Sequence, residues 1–229
     1  MTQILVRWSE PLPADGRFLR LLDEHERGRF EAYRLEADKR RFLTGRVLAK
    51  TLTAARLGRP VESVVFDATC ADCGKPHGRP TVPGSDLTLS ISHSGGLVGL
   101  AATDGVPVGL DVETASRKAD RALIEYALSP AEQAAVAALP ETTRSAAFFV
   151  YWTRKEAVMK ATGKGLKIPL RSITFSPHDA PAALISSSDP ALDPATTRLA
   201  DLKATEGHRA AVAALTTSPL EVTEEHWLP

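Results

Sequence analysis

Trp152, Glu156 and Lys160 stand four residues apart in a stretch that holds no glycine or proline. On a helix that spacing makes one stripe, with Lys155 beside it. A carboxylate and an ammonium one turn apart, next to an aromatic ring that can shield them, suit a site where a metal ion and a phosphate meet. A surface Glu–Lys pair on an amphipathic helix has the same spacing. The stripe therefore gains a chemical meaning only from what the rest of the chain supplies.

Asp111 and Glu113 supply a second piece. They lie in Pro107-Val108-Gly109-Leu110-Asp111-Val112-Glu113. As a strand, this puts Leu110 and Val112 on one face and both carboxylates on the other. Like charges about 6.6 Å apart along a strand repel unless a cation lies between them. A hard divalent ion such as Mg²⁺ takes one or two carboxylates with waters and phosphate oxygens. A strand end running into solvent would look the same.

Cations come from Lys39-Arg40-Arg41-Phe42-Leu43-Thr44-Gly45-Arg46, four of them in eight residues. They could grip a polyphosphate or form a solvated face with Glu36 and Asp38. Gly45 leaves room for a close approach. Ser92-His93-Ser94-Gly95-Gly96 sits between two β-like runs. Hydroxyls, an imidazole and free N–H groups there can cradle a phosphate, and a plain hairpin turn is the alternative. Ser92 and His93 point to opposite faces of a strand, which argues against a nucleophile–base pair. Gly74-Lys75-Pro76 and Gly78-Arg79-Pro80 repeat one pattern, and one of the two cations is expected to face the site. Cys70 and Cys73 form a C-x-x-C near His77, but a closed zinc site needs a second cysteine pair.

The elements that must position these groups follow from hydrophobic period and punctuation. Strands are expected at residues 4–8, 61–67, 87–92, 97–103 and 107–113. Helices are expected at 17–25, 37–57 and 117–128. Another is expected from Pro130, with Ser129 as N-cap and Glu132 at N3. The stripe belongs to a helix from about Thr143 to a stop at Gly163. Residues beyond Pro169 read as β-rich, at 172–175, 182–186, 198–204 and 209–215. The tail from Thr216 shows no strong period.

Composition narrows the setting. The 229 residues allow one large domain or two of about 110 each. The formal net charge is zero, so no global basic field favours nucleic acid, and anions must be held by local patches. The N-terminus lacks a signal-peptide layout, and no apolar run approaches the ~20 residues of a membrane span. Two cysteines do not make a secreted disulfide scaffold. A cytoplasmic protein is expected, without nucleic-acid or membrane partners.

Taken in order, the Arg-rich helix, the Gly-Lys/Arg-Pro loop, Ser92-His93-Ser94, Gly109-Leu110-Asp111-Val112-Glu113 and Trp152-x-x-Lys155-Glu156-Ala157-x-x-Lys160-x-x-Gly163-x-Gly165-Leu166 resemble the Sfp-type 4′-phosphopantetheinyl transferases. The resemblance spans roughly Arg41 to Leu166. It implies an α+β fold of two similar halves related by a pseudo-twofold axis, residues 1–105 and 106–229. Each half would be a small, mostly antiparallel sheet packed on a long helix, with the active site between them. It implies transfer of the phosphopantetheine arm of coenzyme A to a serine of an acyl or peptidyl carrier protein, by a monomer, with 3′,5′-ADP released. By motif, Asp111, Glu113 and Glu156 would hold Mg²⁺, with Mn²⁺ as a substitute, and Asp111, Glu156 and Lys160 would form the catalytic set. Glu156 is also the candidate base, and Lys160 would hold the pyrophosphate. Arg41, Arg46, Ser92, His93 and Lys155 would contact coenzyme A. So would Lys75 or Arg79, with Arg79 preferred as the nearer to Ser92-His93-Ser94. Val112 stands where some relatives carry a polar residue.

The chemistry suits these residues on its own terms. Attack by a hydroxyl on a pyrophosphate needs phosphate charge neutralised and a base near the hydroxyl. A non-catalytic module on the same fold would be expected to lose a carboxylate or Lys160. A different Mg²⁺-dependent phosphotransferase would usually bring a Gly-x-x-x-x-Gly-Lys-Ser/Thr loop, which this chain lacks.

Overall fold

A computed structural model describes residues 1–69, 74, 78–116 and 118–229. Cys70, Cys73 and Lys75 lie outside the described residues, and with them the thiol reading and one of the two loop cations.

The N-terminal strand β1 (Thr2–Ser9) is followed by two short helices, α1 (Gly16–Leu19) and α2 (Glu24–Ala32). Asp15 caps the first. Asp23 and Glu26 form a capping box on the second, so the single helix expected at 17–25 is broken in two. The long helix α3 (Glu36–Leu57) ends at Gly58, whose φ of 60° closes the last turn. Residues 61–63 form a 3₁₀ turn rather than the expected strand, and Asp67 makes only an isolated bridge to Thr81. Strands β2 (Leu87–Ser94) and β3 (Leu97–Asp104) form a hairpin whose tip is Gly95-Gly96.

The second half begins with β4 (Val108–Thr114), then α4 (Arg121–Ala127) and α5 (Pro130–Ala137). The expected Ser129–Glu132 capping box is present. The helix α6 (Glu141–Thr162) stops at Gly163 in the left-handed region, as its sequence predicts. Five strands complete the chain: β5 (Ile173–Phe175), β6 (Leu184–Ser187), β7 (Thr197–Leu202), β8 (His208–Leu215) and β9 (Leu220–His226).

The sheets run β2-β3-β1-β9, β4-β8-β7 and β5-β6. All pairings are antiparallel except β1 with β9. The fold is thus α+β, with a 22-residue helix serving each half. The last strand, β9, lies in the N-terminal sheet, so the chain's end returns to its beginning. Ile4, Val6 and Trp8 of β1 pack on Leu110 and Val112 of β4 and on Val212 of β8, in a core shared between the two sheets. The helix α3 covers the outer face of β2 and β3 through Leu48 and Leu52, and α6 anchors a third core through Phe148, Phe149 and Val158.

Candidate active site

One glycine brings Glu156 and Lys160 to β4. A Cβ at Gly109 would stand 2.0 Å from the Ala157 carbonyl oxygen and 2.5 Å from the Ala161 nitrogen. Only glycine lets the α6 backbone lie this close to the strand. Asp111, two residues along, then meets Lys160, with Nζ 2.8 Å from Oδ1. Ser92 Oγ donates to the same Oδ1 at 3.0 Å and accepts from Lys160 Nζ at 2.9 Å. Asp111 is 5% exposed, and its Oδ2 has no hydrogen-bond partner among the described residues.

Burial is the main cause that raises the Asp111 pKa, and Lys160 opposes it. Burial also raises the Glu156 pKa, with Asp111 and Glu113 adding to the effect and Lys160 opposing. Glu113 accepts from Ser94 Oγ at 2.9 Å.

A cavity of about 500 Å³ opens between α3, β2 and α6. Six of the residues singled out in the sequence line it: Arg41, Arg46, Arg79, His93, Glu156 and Lys160. Arg41 Nη1 donates to Gly95 O at 3.0 Å, and its Nη2 pairs with Asp38. Arg46 Nε lies 3.6 Å from Glu26 Oε1, while its Nη1 is buried without a hydrogen-bond partner among the described residues. Arg79 Nε donates to Leu89 O at 3.3 Å, and its buried Nη2 also has no hydrogen-bond partner among the described residues. Burial lowers the pKa of both guanidiniums. His93 is held below its ordinary pKa, first by desolvation, then by Arg41 and Lys160.

Two expected contacts fall elsewhere. Lys155 is fully buried on the far side of α6. Its Nζ lies 2.8 Å from Glu132 Oε2 and donates to Leu170 O and Ile173 O. One residue is about 100° round a helix, and that turn carries Lys155 away from the cleft and into the core. Ser92 stands behind Lys160 and serves Asp111 rather than the cavity wall. Gly45 does allow a close approach, but to Ile91, whose Cγ2 would lie 2.9 Å from a Cβ there.

Arg29 and Tyr33 also line the cavity and were not foreseen. Both pack on Phe42, Arg29 with its guanidinium 5.4 Å from the ring centroid and Tyr33 with ring centroids 5.5 Å apart. The Asp23–Glu26 capping box was the available signal, because it starts a helix whose last turn carries Arg29.

Comparison with known proteins decides the family. The profile described as 4′-phosphopantetheinyl transferase superfamily matches residues 107–213. A second profile, 4′-phosphopantetheinyl transferase, N-terminal, matches residues 7–105. The 4′-phosphopantetheinyl transferase psf-1 of Bacillus pumilus is 31% identical over 183 residues, covering 74% of each chain. This chain belongs to the 4′-phosphopantetheinyl transferase superfamily. The Sfp enzyme of Bacillus subtilis is 26% identical over 71% of this transferase and 69% of its own length. HetI of Nostoc is 31% identical over 71% of this transferase and 68% of its own length. Among the described residues of the transferase, no helix is long and apolar enough to cross a membrane.

Proposed function

We propose that this transferase moves the 4′-phosphopantetheine arm of coenzyme A to a serine of an acyl or peptidyl carrier protein, with Mg²⁺, and releases 3′,5′-ADP. The observation that carries this is a set of unpaired groups, two on the wall of one cleft and one behind Lys160, which lines it. Among the described residues, Arg46 Nη1 and Arg79 Nη2 are buried donors without hydrogen-bond partners, and Asp111 Oδ2 is a buried acceptor without one. Buried polar groups left unpaired are costly and uncommon. Their signs suit phosphate on the arginine side and a cation on the carboxylate side.

Among the described residues, no group of three or more His, Cys, Asp or Glu side chains forms a ready cation cage. Lys160 shares Asp111 instead. The donor chemistry nevertheless fits a hard divalent ion. Asp111 and Glu156 are desolvated carboxylates, and neighbouring carboxylates add to the cost of ionising each, Glu113 at Asp111 and both Asp111 and Glu113 at Glu156; a bound cation relieves that cost. Asp111, Glu113 and Glu156 would hold Mg²⁺, or Mn²⁺ in its place, as a Lewis acid and template for the pyrophosphate.

The chain's own groups do the rest. Arg41, Arg46 and Arg79 hold the phosphates, and neutral His93 donates one hydrogen bond to them. Lys160 faces the pyrophosphate. Glu156 accepts the proton of the carrier serine, and its raised pKa suits that role. The serine Oγ bonds to the phosphorus that bears the pantetheine arm. The P–O bond to the second phosphate breaks, and its electron pair leaves with 3′,5′-ADP.

Residues 1–105 supply the phosphate grip and residues 106–229 the carboxylates. The enzyme acts as a cytoplasmic monomer that meets its carrier transiently, without nucleic acid. Intact-mass analysis of an apo carrier incubated with enzyme, coenzyme A and Mg²⁺ tests this. The carrier should gain one phosphopantetheine, and chelator should prevent the gain. Full transfer in excess chelator would overturn the metal dependence.

A further inference from the structure

Strands β2 and β4 each end their own sheet, and among the described residues no backbone pairing joins them. Serine hydroxyls join them instead. Ser90 Oγ accepts from Leu110 N at 2.9 Å, Ser92 Oγ from Val112 N at 3.3 Å and Ser94 Oγ from Thr114 N at 3.1 Å. The three serines alternate along β2, so they share one face. The three amides alternate along β4 in the same register. On an edge strand such N–H groups point away from the sheet and need an acceptor.

A hydroxyl can accept and donate at once. Ser92 Oγ donates a hydrogen bond to Asp111 Oδ1 at 3.0 Å, and Ser94 Oγ donates one to Glu113 Oε2 at 2.9 Å. Because that proton is committed, the 3.0 Å contact between Ser94 and Thr114 Oγ1 has Thr114 as donor. Ser90 takes its amide but touches neither carboxylate.

We propose that Ser90, Ser92 and Ser94 form a hydroxyl ladder that stitches the two halves together, and that Ser92 and Ser94 are positioning residues for the carboxylates Asp111 and Glu113. The ladder sets the carboxylate geometry from the N-terminal half, so metal affinity depends on a strand that supplies no ligand. This rests on the proposed metal-binding role of Asp111 and Glu113.

The ladder divides its own controls. Ser94→Ala and Ser92→Ala each lose an amide acceptor and a carboxylate donor, and Ser92→Ala also loses the acceptor of Lys160 Nζ, so Ser94→Ala is the deciding variant; Ser90→Ala loses only the amide acceptor. Ser94→Thr keeps both functions. Mn²⁺ titration followed by electron paramagnetic resonance reads affinity without turnover. Ser94→Ala and Ser92→Ala should weaken Mn²⁺ by about tenfold or more, as loss of a ligand's hydrogen-bond partner does elsewhere. Ser90→Ala and Ser94→Thr should bind as wild type. Amide hydrogen exchange supplies a readout that needs no metal: each Ser→Ala variant should lose protection first at its own partner, Leu110, Val112 or Thr114. Wild-type Mn²⁺ affinity in Ser94→Ala, or equal weakening in Ser90→Ala, would overturn the positioning role. Unchanged protection at all three amides would overturn the ladder. A wild-type protein that takes up no Mn²⁺ would instead remove the metal role beneath the positioning claim, and that claim falls with it.

Discussion

The Lys155 ammonium lies 2.8 Å from the Glu132 carboxylate, with both side chains sealed from solvent. Glu132 also accepts from the Ser129 and Phe175 amides, so one carboxylate ties α5, α6 and β5 together. Lys155→Ala would leave that charge buried and unpaired, at a cost of about 3–5 kcal/mol. Lys155→Met combined with Glu132→Gln removes both charges and should recover part of the loss. Urea unfolding measures both. Coenzyme A affinity of the folded variants should match wild type, and a large loss of affinity would return Lys155 to the cleft.

Gly109→Ala places a methyl against the Ala157 carbonyl, where no side chain can give way. The α6 backbone must lift from β4, at a cost of about 1–3 kcal/mol typical of overpacking. Transfer should fall further than stability, because a displacement near 1 Å of reacting groups can cost about 10²-fold. Unfolding and single-turnover transfer on the same preparation separate the two effects. A stable and fully active Gly109→Ala would show that the close contact does not set the site.

Among the described residues, the Arg79 guanidinium makes one protein hydrogen bond, to Leu89 O, so Arg79→Ala should cost little stability. Charged hydrogen bonds to phosphate contribute roughly 1.5–3 kcal/mol, so the Kd for coenzyme A should rise by about one to two decades. Arg46→Ala should weaken coenzyme A similarly and also destabilise the fold, since Arg46 neighbours the buried Glu26–Lys50 pair. Calorimetry with chemical unfolding distinguishes the two variants. Wild-type affinity in both would assign these arginines to packing alone.

His93 should titrate below the ordinary imidazole range in the ligand-free enzyme, because desolvation, Arg41 and Lys160 all disfavour its cation. The sign for stability follows. The neutral form's contribution is present above the ordinary imidazole pKa and is lost as pH falls through the lowered one. Bound coenzyme A brings negative charge and should move the His93 pKa upward, so its binding should tighten as pH falls through that window. Side-chain NMR with and without coenzyme A reads both values. A His93 that titrates high without ligand, or does not respond to it, would place it outside the phosphate site.

Much of this was legible in the sequence because it depends on local signals. Gly163 stops α6, Ser129 and Glu132 start α5, and the alternation around Asp111 makes β4. What stayed hidden depends on partners distant in the chain. The strand β9 looks patternless because Glu224 and His226 stand where its alternation, begun by Leu220 and Val222, calls for apolar residues. Yet Glu224 accepts from Trp8 Nε1 at 2.9 Å and from the Lys203 and Ala204 amides, and Glu225 pairs with Arg7. Lys155 shares a motif with Glu156, but the rotation between adjacent helical residues sends the two to opposite environments. Ser92 and His93 share a motif too, and what the strand alternation between them does not reveal is that Ser92 finds Asp111 and Lys160, 19 and 68 residues on.

The central claim is that Glu156 and its neighbouring carboxylates carry out transfer in this cleft, and single-turnover transfer by Glu156→Gln tests it most directly. With coenzyme A prebound at high metal and one apo carrier, the account predicts coenzyme A binding near wild type and transfer slowed by about 10²–10⁴-fold or more, the range for loss of a general base. Transfer at the wild-type rate would contradict it and leave Glu156 without a part in the chemistry.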